Sequence, residues 1–120
     1  MNRLYIIIGV TAVVLLFSSC GQKHKAEVVV EAFIEQYAKN PAEIQHRDFE
    51  HFDSTKVISD SVVIALQQRG NELFKNPIPY PVNTAGRMLY HIRMNYVYQG
   101  DTLWQTFYLD EGLEHVVAFK

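Results

Sequence analysis

The sequence predicts an α+β fold, an amphipathic helix followed after an irregular middle by a curved antiparallel sheet that closes the chain. Three observations carry this. Ala26, Val29, Val30, Phe33, Ile34 and Tyr37 recur with helical spacing, with Glu27, Glu31 and Glu35 opposite them. Met88, Tyr90, Ile92, Met94, Tyr96 and Tyr98 alternate with Leu89, His91, Arg93, Asn95 and Val97, the two-residue period of a strand with one buried face. Turn residues then recur at Gly100-Asp101 and at Asp110-Glu111-Gly112.

The helix is expected over 26–39, because Asn40 tolerates a left-handed cap and Pro41 cannot continue the hydrogen-bond ladder. The segment EIQHRDFEHFDSTKVI mixes charges with Ile44, Phe49, Phe52, Val57 and Ile58 and has room for one short edge strand. Ser59 and Asp60 can cap a second helix running through Val63, Leu66, Leu73 and Phe74, with Gly70 in its interior at a cost of about 1 kcal/mol relative to alanine. Asn76 and Pro77 end it, and the three prolines of NPIPYPVN make an extended connector.

A two-residue turn at Gly100-Asp101 sets Tyr98 against Leu103, Tyr96 against Gln105, Met94 against Phe107 and Ile92 against Leu109, which keeps apolar side chains on one face. Asp110-Glu111-Gly112 suits a three-residue turn with the glycine left-handed, leading to a last strand whose Leu113, Val117 and Phe119 continue that face. The result is a three-stranded meander, and the helix is its cover.

Ahead of this domain, Leu4 to Phe17 are fourteen residues without a charge, preceded by Arg3 and followed by Ser18, Ser19, Cys20 and Gly21. A bilayer span needs roughly 20 apolar residues, so this layout fits a secretory signal with a basic start, an apolar centre and a small-residue cleavage site. Residues 1–19 are read as that signal, 20–25 as a short polar tether, and 26–120 as a single domain. The mature chain then holds ten Lys and Arg against thirteen Asp and Glu, and its scattered cations form no patch of the kind nucleic acid requires. About 100 residues suffice for one core without disulfide or metal.

Cys20 is the single cysteine, so no disulfide can form within the chain, and an exported free thiol needs another use. Leu16, Phe17, Ser18, Ser19 and Cys20 resemble the lipobox of bacterial lipoproteins, with Phe17 where leucine, valine or alanine is usual. The resemblance implies cleavage before Cys20 and acylation of its sulfur and amine, making Cys20 an anchor. Together with the order of elements, the chain resembles the small cystatin-like, nuclear-transport-factor-2-like lipoproteins of Gram-negative bacteria. That implies a non-enzymatic envelope protein on the outer membrane. Gly21 in place of aspartate resembles lipoproteins passed on to the outer membrane, and Lys23, His24 and Lys25 in place of an acidic run imply a domain facing the periplasm. The Gln-x-Val-x-Gly hairpin of cystatin inhibitors is absent, since Gln99 directly precedes Gly100.

Two surfaces are candidates for binding. Arg93, Asn95, Trp104, Thr106 and Tyr108 share the outer sheet face, a mixed aromatic and polar composition favoured at protein contacts. This is the expected surface for another envelope protein. In the resembling folds the inner face curls into a cone, and Tyr96, Gln105 and His115 would line a small-molecule pocket there, that of a binding module or an isomerase-like enzyme. His46, Asp48, Glu50, His51 and Asp53 include metal-ligating types, but the five-residue spacing of the histidines suits neither helix nor strand, and a solvated segment is expected. No Gly-x-Ser-x-Gly elbow, phosphate loop or His-Glu-x-x-His helix occurs, which leaves His91 or His115 beside a carboxylate as the sole acid/base option. No cofactor is implied.

Overall fold

The computed structural model describes residues 18–55, 58–81 and 88–120. Residues 1–17 of the expected signal segment and Val57 lie outside them, as does the end of the proline connector at 82–83. In chain order the elements are α1 (Ser18–Tyr37), a 3-10 turn (Pro41–Glu43), β1 (Gln45–Ser54), α2 (Asp60–Arg69), β2 (Tyr90–Tyr98), β3 (Asp101–Leu109) and β4 (Val116–Phe119). The strands form one open antiparallel sheet in the order β1-β2-β3-β4, the expected three-stranded meander joined at its edge by the strand for which the middle segment has room.

Helix α1 buries the expected face: Ala26, Val30, Phe33 and Ile34 share a core with Ile92, Met94, Tyr96, Phe107 and Leu109. It begins at Ser18, so the stretch expected as a tether from 20 to 25 is helical. Gln22, Lys23 and Lys25 are good helix formers, Lys23 reaches Glu27 at 3.8 Å one turn on, and Lys25 Nζ donates to the Gly112 carbonyl at 3.0 Å. The helix stops two residues earlier than expected because another segment takes over its hydrogen bonds. Ala38 bridges Phe74, Lys75 N–H donates to the Tyr37 carbonyl, and Lys39 N–H donates to the Leu73 carbonyl.

The charged middle segment holds a ten-residue edge strand, longer than expected, with a register shift at each of two histidines. His46 and His51 are left-handed, at φ 52° and 55°, and each marks an extra residue in β1 opposite β2. These are bulges of the kind that need a left-handed first residue. The second one brings Phe49 and Phe52, three residues apart, onto the same core, where Phe52 stacks on Tyr90 at 5.3 Å.

Helix α2 starts at the expected cap position, with the Val62 and Val63 N–H groups donating to the Ser59 carbonyl. The Ser59 hydroxyl pairs with that of Ser61 instead of capping. The helix ends at Arg69, correcting the expectation that Gly70 is interior. Gly70 sits at φ 56°, ψ −179°, a conformation essentially restricted to glycine, and it turns the chain so that Leu73 and Phe74 enter the core from a non-helical segment.

Strands β2 and β3 pair in a different register from the expected one. The turn is Gln99-Gly100, both left-handed, and Tyr98 faces Asp101, Tyr96 faces Leu103, Met94 faces Gln105 and Ile92 faces Phe107. This slips each partner by two residues, an even number, so every side chain keeps its expected face. The next turn also differs: Leu113, not Gly112, is left-handed. A bulge between Tyr108 and Leu109 rotates β4, so Phe119 and Val116 join the main core while Val117 faces the opposite way. There α2 covers it, with Val63, Leu89 and Val117 forming a second small core. The expectation that Val117 shares the face of Phe119 is thereby corrected, and β4 is buried on both faces.

Candidate functional site

The outer face of β2 and β3 carries the expected patch. Asn95 faces Trp104 and Arg93 faces Thr106 across the ladder. Trp104 is 62% exposed, and the Arg93 guanidinium lies over its ring at 4.9 Å from the centroid. A cation stacked on indole is attracted by the ring quadrupole, and the stack also holds the indole upright in solvent. Behind it stands Glu50 of β1, which the sequence reading placed in a solvated polar segment and not in this patch. Its Oε1 accepts a hydrogen bond from Asn95 Nδ2 at 2.7 Å and lies 3.7 Å from Arg93 Nε. That nitrogen is buried and makes no hydrogen bond, so the guanidinium is held by charge and stacking. His51 Nε2 lies 3.7 Å from the same carboxylate oxygen. Strand pairing of Glu50 with Arg93 is the signal that would have found it, and the bulges of β1 hid that register.

Tyr108, expected in the same patch, is half-buried against the core of Val63, Leu89 and Val117 beneath α2. The exposed outer-face patch is therefore Arg93, Asn95 and Trp104 with Glu50, and Tyr108 belongs to packing.

The inner-face trio is split. Tyr96 and Gln105 are 4% and 7% exposed, and the Tyr96 hydroxyl donates to Gln105 Oε1 at 3.2 Å. Burial pushes the Tyr96 phenol up from its ordinary pKa. His115 is exposed in the turn before β4, next to Asp110, while Tyr96 and Gln105 lie at least four residues along the strands from Leu109, roughly 13 Å. The expected pocket of these three residues is corrected: the inner face is filled by side chains, because α1 and the aromatic residues Phe33, Phe74, Phe107 and Phe119 pack directly onto it.

His115 serves its turn. Its Nδ1 lies 2.7 Å from Asp110 Oδ2, while Asp110 Oδ1 accepts from the Glu114 and His115 N–H groups. Burial alone would raise the Asp110 carboxyl, but those donors and the imidazole outweigh it and hold the pKa below its ordinary value. The ionised carboxylate requires the proton on Nδ1. His115 also borders a groove of about 250 Å³ between α1 and residues 78–81, lined by Val29, Phe33, Tyr37, Ile78 and Tyr80. Burial pushes the Tyr80 phenol well up.

Cys20 falls in the first turn of α1 and its side chain is not among those described. Among the described residues no helix is long and apolar enough to cross a membrane, and no group of three or more His, Cys, Asp and Glu is placed to hold a metal ion. His46, Asp48, His51 and Asp53 are exposed on β1. Comparison with models of known families, with curated proteins and with solved structures finds no match to this chain.

Proposed function

We propose that this chain is a non-enzymatic lipoprotein of the cell envelope, tethered through acylated Cys20, whose α+β domain docks another envelope protein. The outer membrane, with the domain in the periplasm, is the compartment that Gly21 and the basic Lys23-His24-Lys25 favour. The cystatin-like class is the finer fold reading, supported by a helix laid across an antiparallel sheet whose strands follow chain order.

The observation that carries the docking role is Trp104, mostly exposed yet fixed in place by Arg93, which Glu50 backs. Tryptophan and arginine dominate the energetics of protein contacts, and a side chain ordered before binding loses less entropy on docking. The tether rests on a lone sulfur at the end of an apolar run too short to span. Each buried methylene contributes ~0.8 kcal/mol, and two or more acyl chains anchor stably where one does not.

Membrane fractionation with intact-mass measurement tests the tether. The parent chain is expected in the membrane fraction, beginning at Cys20 and carrying fatty acids, and Cys20→Ala is expected to stay unprocessed or be released. Unchanged fractionation of the variant rejects the anchor. Crosslinking in intact cells tests the docking face, where Trp104→Ala should lose the crosslinked partner while retaining the fold.

A second reading, a small-molecule binding module, is favoured by the apolar groove beside Tyr80. It shifts the site from Tyr96 and Gln105 to the outer side of α1. Thermal stabilisation by a small apolar probe that Tyr80→Ala abolishes would support this reading; no binding by the parent chain would dismiss it.

A further inference from the structure

The groove beside Tyr80 has two unlike ends. Lys25 meets Gly112 and Phe33 meets Phe119, so residues 112–119 run alongside α1 in its own direction and bring Glu114 and His115 level with Val28 and Val29. Farther along, Phe33, Tyr37 and Tyr80 form an aromatic wall, with the Phe33 ring centroid 5.1 Å from that of Tyr37 and 6.3 Å from that of Tyr80. One helix turn, roughly 6 Å, separates Phe33 from Val29.

The polar end offers acceptors. The Glu114 carboxylate has no hydrogen bond or ion pair among the described residues, and once ionised it only accepts. The Glu114 and His115 N–H groups are both spent on Asp110 Oδ1, so neither is left for a ligand. Asp110 Oδ2 takes the protonated Nδ1 of His115, which makes Nε2 of the neutral ring a second acceptor. Asp110, Glu111 and Glu114 outnumber Lys25 at this turn, and the Lys25 ammonium is held by the Gly112 carbonyl at 3.0 Å. At the opposite end Lys75 Nζ lies 3.4 Å from the Gln36 carbonyl. The charge therefore changes sign along the groove.

We infer that the groove takes a small primary amine carrying one aromatic ring, the ring against Phe33 and Tyr80 and the ammonium at Glu114. The inference rests on the small-molecule reading of this groove and names its ligand class. A volume of about 250 Å³ is below the range of sites for drug-sized ligands, so a single ring on a short spacer fills it. Aromatic walls favour an aromatic body through offset and edge packing, and a two-carbon spacer carries the nitrogen from Phe33 toward Val29. An ammonium brings three donors and reaches both acceptors, with its charge opposite to that of Glu114. A hydroxyl in the same place donates once and brings no charge. A carboxylate there faces Glu114 with like charge.

Amide chemical-shift titration of the full chain in detergent micelles tests it, with phenethylamine, phenethyl alcohol and hydrocinnamate as matched probes. At low ionic strength phenethylamine is expected to bind at least about threefold tighter than the alcohol, and hydrocinnamate weakest, with shifts along residues 28–37. Glu114→Gln should erase the preference for the amine and Glu114→Lys should turn it toward hydrocinnamate, both leaving the affinity for the alcohol unchanged. Tyr80→Ala should abolish binding of all three probes. Ala32→Phe fills the groove from an exposed helix position and should give the same loss in a chain that keeps Tyr80. Three affinities within about threefold of one another, hydrocinnamate binding best, or an amine preference that survives Glu114→Gln overturns the ammonium assignment and leaves the groove reading standing. Binding of none of the three up to about 10 mM dismisses both.

Discussion

The Tyr96 hydroxyl donates to Gln105 Oε1 at 3.2 Å inside an otherwise apolar core, joining β2 to β3 diagonally across the ladder. Gln105 is the buried polar residue on this face. Removing one partner leaves the other dehydrated without compensation. Tyr96→Phe is expected to cost about 1–3 kcal/mol in urea denaturation, and Tyr96→Phe with Gln105→Leu to cost less than the two single changes added together. Strictly additive costs would show that the pair is not coupled.

Arg47 should be the residue of β1 whose loss is felt most. Its side chain is 15% exposed and reaches Glu31 and Glu35 on α1, while Nε and Nη2 donate to the Ile44 and Pro41 carbonyls at 2.9 and 2.8 Å. It fastens the helix to the bulged edge strand through four acceptors at once. Arg47→Ala is expected to destabilise by about 2–4 kcal/mol, and Arg47→Lys to recover a minor part, because an ammonium cannot span that fork. Urea midpoints of the two variants decide it, and a lysine that restores full stability would contradict the geometry.

Elements whose physics is periodic were legible in the sequence, and those that break period were not. The buried face of α1 and the inner residues of β2 follow from spacing alone. Phe49 and Phe52 do not, because strict alternation puts them on opposite faces and only the left-handed His51 reunites them. The β2–β3 turn was displaced by one residue because a turn with two left-handed positions announces itself as Asn-Gly, and Gln99 conceals it. Faces survived the slip since it was even; partner identities did not. Val117 depended on a bulge and on a helix packing from the second side, neither of which strand periodicity encodes. Of the candidate sites, the Arg93-Trp104 pair was legible from alternation, whereas the inner trio failed because it joined residues at opposite ends of the sheet.

Acid stability should carry a signature of Asp110. Its folded pKa is depressed, so it contributes stability that is present above its unfolded pKa, near 3.9, and that is lost as pH falls through the folded value. Asp110→Asn keeps an acceptor for the Glu114 and His115 N–H groups but not the charge facing the imidazole. The variant is expected to melt lower than the parent near neutrality, with the two converging as pH falls below the unfolded pKa and through the folded one. Melting temperatures across that range check it, and a constant difference at all pH values would mean the carboxylate's charge is irrelevant.

Gly70 offers a test of backbone conformation separated from packing. A β-carbon there would meet no atom within 4 Å, so alanine creates no clash with the rest of the protein. The cost is intrinsic: φ 56° with ψ −179° is a region that L-residues avoid, and Gly70→Ala is expected to lose about 1–3 kcal/mol despite an exposed site. Were Gly70 inside a continuous helix, the same change would stabilise by about 0.5–1 kcal/mol, through better helix propensity. The sign of the shift in the urea midpoint therefore distinguishes the two backbones. A gain in stability would mean α2 runs through this position, and the path that delivers Leu73 and Phe74 to the core would have to be redrawn.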